Sequence, residues 1–190
     1  MLDKSIKYYH ILMHRQKGRN IPFYPLPEGY SYKEFAPGDE TDWAAIEASV
    51  AEFEEEDEAL SYFKKEYLPY LPELKRRTIF VVDDKGNKAG TSTGWWSYTG
   101  KRRDPWIHWV AVKPQYQGMG LGKAIVAETL RRLIEIEGDR DIYLHTQTWS
   151  YKAIGIYLRS GFIITEEDGL GGYKNEYKQA LELLKQVLKP

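Results

Sequence analysis

Val110-Ala111-Val112-Lys113-Pro114-Gln115-Tyr116-Gln117-Gly118-Met119-Gly120-Leu121-Gly122-Lys123-Ala124 is the stretch that decides how this chain folds. An apolar, β-branched run enters a turn with three alternate glycines, and a helical pattern begins there. Helix N-termini carry unpaired N–H groups and the positive end of the helix dipole. Glycines allow positive φ and close approach of the backbone to a ligand, so the segment reads as a phosphate cradle. Two familiar cradles do not fit. A Walker A loop would put its first glycine at Gln117 and its hydroxyl at Ala124. A dinucleotide fingerprint started at Gly118 would need a third glycine where Lys123 stands.

The elements around the turn follow from periodicity and punctuation. Downstream, Gly120 to Glu137 is a long helix with Ala127, Leu130, Leu133, Ile134 and Glu137 on one face. Asp141–His145 reads as a strand, and Ser150–Arg159 as a helix stopped by Gly161. Phe162–Thr165 and Gly172–Glu176 read as a strand pair, and Lys178–Leu188 as a closing helix. Upstream, Pro105–Val112 is a strand preceded by a hairpin, Thr78–Asp83 and Lys88–Tyr98, turning at residues 84–87. Tyr30–Phe35 is an earlier strand, and helices run from Asp39 or Thr41 to about Glu52 and from Glu56 to Tyr67. Residues 3–17 suggest a short helix, and the three prolines of residues 21–27 an extended connector. The expected organisation is an N-terminal arm, 1–27, laid on one domain, 28–190. Its fold class is mixed α/β (α+β): a central, mostly antiparallel sheet of about six or seven strands with helices on both faces.

Two motifs carry a family resemblance. Gln117, Gly120 and Gly122 satisfy Gln/Arg-x-x-Gly-x-Gly/Ala. Some 30 residues on, Ala153, Tyr157, Gly161 and Phe162 fall in step with Asn-x-x-Ala-x-x-x-Tyr-x-x-x-Gly-Phe, and Ser150 replaces the usual asparagine. Over roughly residues 30–176 the chain resembles the GNAT (Gcn5-related N-acetyltransferase) superfamily. The resemblance implies acetyl-CoA as cosubstrate and no metal. It also implies that Gln117, Gly118, Met119, Gly120, Leu121, Gly122 and Lys123 surround the CoA pyrophosphate. The backbone at Val110 and Val112 would pair with pantetheine as an added strand does, and Ser150 and Ala153 would lie along the cofactor.

Acetyl transfer to an amine needs a proton acceptor, a donor to the thioester oxygen and an acid for the leaving thiolate. By the resemblance Tyr157 is the candidate acid. The free backbone N–H of Val110 or a neighbour, at a bulge in the strand, is the candidate oxygen ligand. His108 and His145 are alternative bases, since imidazole titrates near neutrality. The acidic run Glu52–Glu58 with Trp95, Trp96, Trp106 and Trp109 suggests a wall for a small cationic amine, through charge and cation–π contact. A peptide amine and a catalytically silent acyl-CoA binder are the alternatives.

Composition bounds the rest. The 190 residues are 42% hydrophobic and 29% charged, as in a folded domain. A net charge of −1 argues against a nucleic-acid partner. With no cysteine, a disulfide framework, thiolate metal sites and a cysteine nucleophile are excluded. No run is apolar enough to span a membrane or to serve as a signal peptide, so a cytoplasmic protein is expected. Monomer and homodimer stay open.

Overall fold

The computed structural model describes residues 2–188; the outermost positions of the expected ranges (1, 189 and 190) lie outside them. Seven strands form one sheet in the order β2-β3-β4-β5-β6-β1-β7. They are β1 (His10–Arg15), β2 (Tyr30–Glu34), β3 (Thr78–Asp83), β4 (Lys88–Thr99), β5 (Arg102–Val112), β6 (Ile142–Gln147) and β7 (Ile163–Ile164). The helices are α1 (Glu40–Ser49), α2 (Glu56–Glu66), α3 (Leu71–Arg77), α4 (Leu121–Glu137), α5 (Tyr151–Arg159) and α6 (Tyr177–Val187). Every strand pair is antiparallel except β5/β6.

Alternation along the central strands sorts side chains to two faces. On β3, Ile79 and Val81 pack against Leu121 and Ile125 of α4, whereas Phe80 and Val82 face the layer of α1 and α2 built on Trp43, Ile46 and Phe63. A further core joins α4, α5 and α6 to β1 and β6 through Leu130, Leu133, Ile154 and Leu184. Helices therefore cover both faces, as the pattern of elements predicts.

The N-terminal segment corrects the sequence reading. Residues 10–15 are not part of a helix packed on the domain. They form β1, inserted between β6 and β7, pairing with β6 from His10↔Gln147 to Arg15↔Ile142. Ile11 and Met13 enter the helix-covered core and Leu12 packs with Trp106 and Tyr143 on the other face. A strand buried on both faces loses the alternation that marks half-buried strands. The C-terminal pairing is also different. β7 pairs with β1, and residues 172–176 form no strand; Gly172 closes a 3-10 turn, Leu170–Gly172, and 173–176 are irregular. Helix α3, which the sequence reading left out, starts at a proline-bearing first turn and ends at β3.

Arg77, at the end of α3, is 3% exposed. It bonds Glu137 of α4 at 2.6 Å and Glu73 at 2.6 Å, while Arg103 of β5 holds the same Glu137 at 2.8 Å. These pairs clamp the far end of α4 to the sheet. Removing one partner of a buried ion pair strands the other. Glu137→Ala is expected to lower the unfolding free energy by about 3–5 kcal/mol, read from urea denaturation at pH 7.5.

Candidate active site

The site starts where β5 and β6 part. These parallel neighbours register at one position, Trp106↔Tyr143, yet β5 continues to Val112 and β6 to Gln147. A cleft of ≈ 550 Å³ opens between the separated ends, lined by Ile107–Val110 on one side and Leu144–Gln147 on the other. On its β4 side, β5 carries a bulge. Thr91 faces Ala111 but Thr93 faces His108, so one residue of β4 opposes two of β5. Trp109 sits in the bulge at φ 49°. Ala51, in the loop after α1, has φ 66° and also lines the cleft. They are the two non-glycine residues with positive φ among the described residues, and such strain concentrates at ligand sites.

Beyond the cleft, β5 leads into the glycine turn. Lys113 N–H bonds Ala89 O on β4 at 2.8 Å, so by alternation Val112 turns its amide to the open edge. Gln117 Nε2 donates to Val112 O at 2.8 Å and ties the turn to the strand. Gly118 and Gly120 have φ of 82° and 84°, a conformation that side chains resist. Ala124 N–H bonds Gly120 O, and among the described residues the N–H groups of 118–123 find no acceptor. A Cβ on Gly118 would meet nothing within 4 Å. Lys123 Nζ stands over the Tyr24 ring, with its Cε 3.1 Å from where a Gly120 Cβ would sit. Unpaired amides, open space and one ammonium fit a diphosphate, and the free β5 edge fits an amide-bearing arm leading into the cleft.

The cleft collects the candidate chemistry. Tyr157 of α5 reaches it with its hydroxyl pKa raised, first by burial and then by Glu52 and Glu47. His108 lies on the floor with Nδ1 2.8 Å from Tyr67 Oη, and its Nε2 is buried without a partner among the described residues. Burial, then His145, lowers the His108 pKa to about 4. His145 is also lowered to about 4, by burial and then by His10, whose Nδ1 is 3.0 Å from His145 Nε2. Both imidazoles are therefore neutral at pH 7. Val110, Ser150 and Ala153 line the same cleft. Ser150 occupies the N-cap position of α5, but it does not cap with its hydroxyl. Gln147 Oε1 accepts the Ser150 N–H instead, at 2.8 Å.

The tryptophans divide. Trp106 and Trp109 line the cleft, Trp106 as a buried floor pressed against Gly171 (φ 63°). Trp95 and Trp96 stack on each other at 4.1 Å and are absent from its walls. Trp96 lies instead against Arg77 and Arg103 of the clamp. Of the acidic run, Glu52 and Glu54 reach the cleft. Sequence reasoning missed Tyr67, which orients His108, and Glu47 of α1. Glu47 lies four residues after Trp43 and three before Val50, on the buried stripe of the helix. A carboxylate on an apolar stripe was the signal available.

Residues 41–162 match the family described as Acetyltransferase (GNAT) family, and the chain belongs to it. Mycothiol acetyltransferase of Streptomyces coelicolor is 28% identical over 152 residues, covering 80% of this chain and 48% of that protein. The enzyme of the same name from an Arthrobacter species is 29% identical over 164 residues, covering 82% and 49%. This chain thus spans about half the length of the curated relatives it matches. Among solved structures, a GCN5-related N-acetyltransferase from Sphaerobacter thermophilus aligns with a TM-score of 0.67 at 21% identity, over 83% of this chain and 49% of that one. A tandem GNAT protein from the clavulanic acid biosynthesis pathway aligns at 0.61 and 16% identity, over 82% and 50%. The fold is shared with both.

The buried histidine has a pH signature. Its folded pKa of about 4 lies below the unfolded value of 6.5, so between these pH values the unfolded chain binds a proton that the folded chain does not. His108 thus contributes stability that is complete above pH 6.5 and is lost as pH falls toward 4. Between pH 7.5 and 5.0 this one group should cost about 2 kcal/mol, read from urea unfolding, and His108→Phe should remove that part of the slope.

Proposed function

We propose that the protein is an acetyl-CoA-dependent N-acetyltransferase acting on a primary amine by direct attack within a ternary complex. The observation that carries this reading is the continuity of one path. Unpaired amides at the α4 N-terminus run into the open edge of β5, and that edge ends in a cleft holding Tyr157 and His108. Acetyl-CoA supplies an activated thioester carbonyl. The N–H groups of residues 118–123, with Lys123, hold its diphosphate, and the Val110 and Val112 backbone orients the arm. The bulge at Trp109 leaves an N–H at or beside Val110 free to bind the carbonyl oxygen as it gains charge. Tyr157 gives its hydroxyl proton to the departing sulfur as the N–C bond forms and the C–S bond breaks. Burial raises its pKa and keeps that proton on the oxygen until then.

Removal of the amine proton falls to His108, with His145 as the other candidate. Neutral at pH 7, His108 has the lone pair that base work requires, and Tyr67 fixes its ring. The acceptor we favour is a small cationic amine. The ≈ 550 Å³ cleft is of small-molecule size, and its lining mixes carboxylates with Trp106, Trp109, Tyr62 and Trp149. Relatives named mycothiol acetyltransferase are in keeping with a small-molecule acceptor. We place the activity in the cytoplasm, consistent with a cysteine-free chain in which no described helix is long and apolar enough to cross a membrane.

Two measurements test the reading. Calorimetric titration of acetyl-CoA should give binding that weakens at least about tenfold in Gly120→Asp, whose carboxylate would face the diphosphate. Absence of binding to the wild type would remove the foundation of the proposal. Tyr157→Phe should keep acetyl-CoA affinity and lose about a hundredfold or more in turnover on an amine panel. A thiol reagent reports the released CoA without background, because the chain has no cysteine.

A further inference from the structure

Glu47 is the least compensated charge-bearing group in the cleft. It projects from the buried stripe of α1, is 1% exposed, and its Oε1 is fully buried with no hydrogen-bond partner among the described residues. It lines the cleft together with Glu52, Tyr157 and His108. Burial holds its carboxyl well above the usual carboxylate range, and Glu52 pushes it the same way; Glu52 is itself raised by burial. A buried carboxylate without a partner is costly, and such a group facing a cleft marks a candidate ligand site. Among the described residues, Lys4 is the cation that lines the cleft. Its ammonium lies 5.5 Å from the Trp149 ring and it acts on Glu52 rather than Glu47. The neighbouring histidines are no counter-ions, being neutral at pH 7. The aromatic rings of Tyr62, Trp109 and Trp149 complete a lining of carboxylate and π faces.

We infer that Glu47 is the counter-ion for the acceptor's ammonium, so that the cleft selects amines that enter as cations and rejects neutral isosteres. This inference rests on the reading of the cleft as an acceptor site and adds the group that chooses the acceptor. Glu47 touches the amine but forms no covalent bond, so its role is selection and positioning. Restoring the missing donor lets the acceptor occupy the bottom of the cleft, beside Tyr157.

The experiment needs no knowledge of the natural acceptor. Thermal unfolding of wild type, Glu47→Gln and Glu47→Met is followed from pH 5 to pH 8. It is repeated with propylammonium chloride, with sodium chloride at equal ionic strength and with propanol as the neutral isostere. The folded pKa of Glu47 lies above its unfolded value, so the wild type loses stability through this group as pH rises. Both variants should therefore melt higher than the wild type at pH 8, by about 2–4 °C or more, and the gain should shrink toward pH 5. Propylammonium should raise the wild-type Tm at pH 8 and leave both variants unmoved, and propanol should protect none. A lower Tm in both variants, or failure of both to fold, would mean that the carboxylate is structural and would overturn the inference. Equal protection of variants and wild type by propylammonium would do the same. Acetyl-CoA titration into Glu47→Gln separates the two readings. Unchanged binding with lost ammonium protection supports both. Absent binding in every form, with ammonium protection confined to the wild type, removes the acetyltransferase reading and keeps the Glu47 site.

Discussion

One departure from regular sheet geometry organises this protein: β5 and β6 register at Trp106↔Tyr143 and then separate. Parallel strands normally satisfy each other's amides along their length. Here the freed edge of β5 is left for something else to satisfy, and the space between the strands becomes the cleft. The bulge at Trp109 belongs to the same arrangement, since the extra residue re-aims the backbone on the cleft side while β4 stays paired on the other. The clamp of Arg77, Arg103 and Glu137 at the other end of α4 ties that helix to the sheet, so its N-terminus stands where the β5 edge ends.

The cleft then acts on the groups it contains. Its rim is open and carries exposed charges, but its deepest groups are buried, and burial disfavours every charged form there. His108 and His145 are driven to their neutral forms, while Tyr157 and Glu47 hold their protons more tightly. All four shifts share burial as their main cause. The cleft thus holds neutral imidazoles beside a phenol that keeps its proton. The Tyr67 bond to His108 and the His10 contact to His145 orient the rings, and neither supplies a carboxylate that would favour imidazolium.

The aromatic residues serve two ends. Trp109 joins a cluster with Trp43, Phe53 and Tyr62 that packs the α1–α2 layer against the cleft wall. Trp95 and Trp96 stack beside the arginine clamp. All four tryptophans of β4 and β5 looked alike as candidates for an acceptor wall, because a strand assigns its residues to faces but does not say what lies over each face.

The local elements and the glycine turn were legible in the sequence. The helix over 121–137, the strand over 78–83 and the unpaired amides after Gln117 depend on residues near one another in the chain. Apolar period, glycine conformation and helix-end chemistry are local properties, readable without the rest of the molecule. That His10–Arg15 is a strand was settled only by tertiary packing, because its two buried faces are supplied by helices and aromatics more than ninety residues away. The same packing brought Glu47 to the cleft of Tyr157 and Tyr67 to His108, joining α1 to α5 and the C-terminal end of α2 to β5. A side chain's protonation and its partners are set by what surrounds it in space, and that follows from packing between distant segments, which local pattern does not encode.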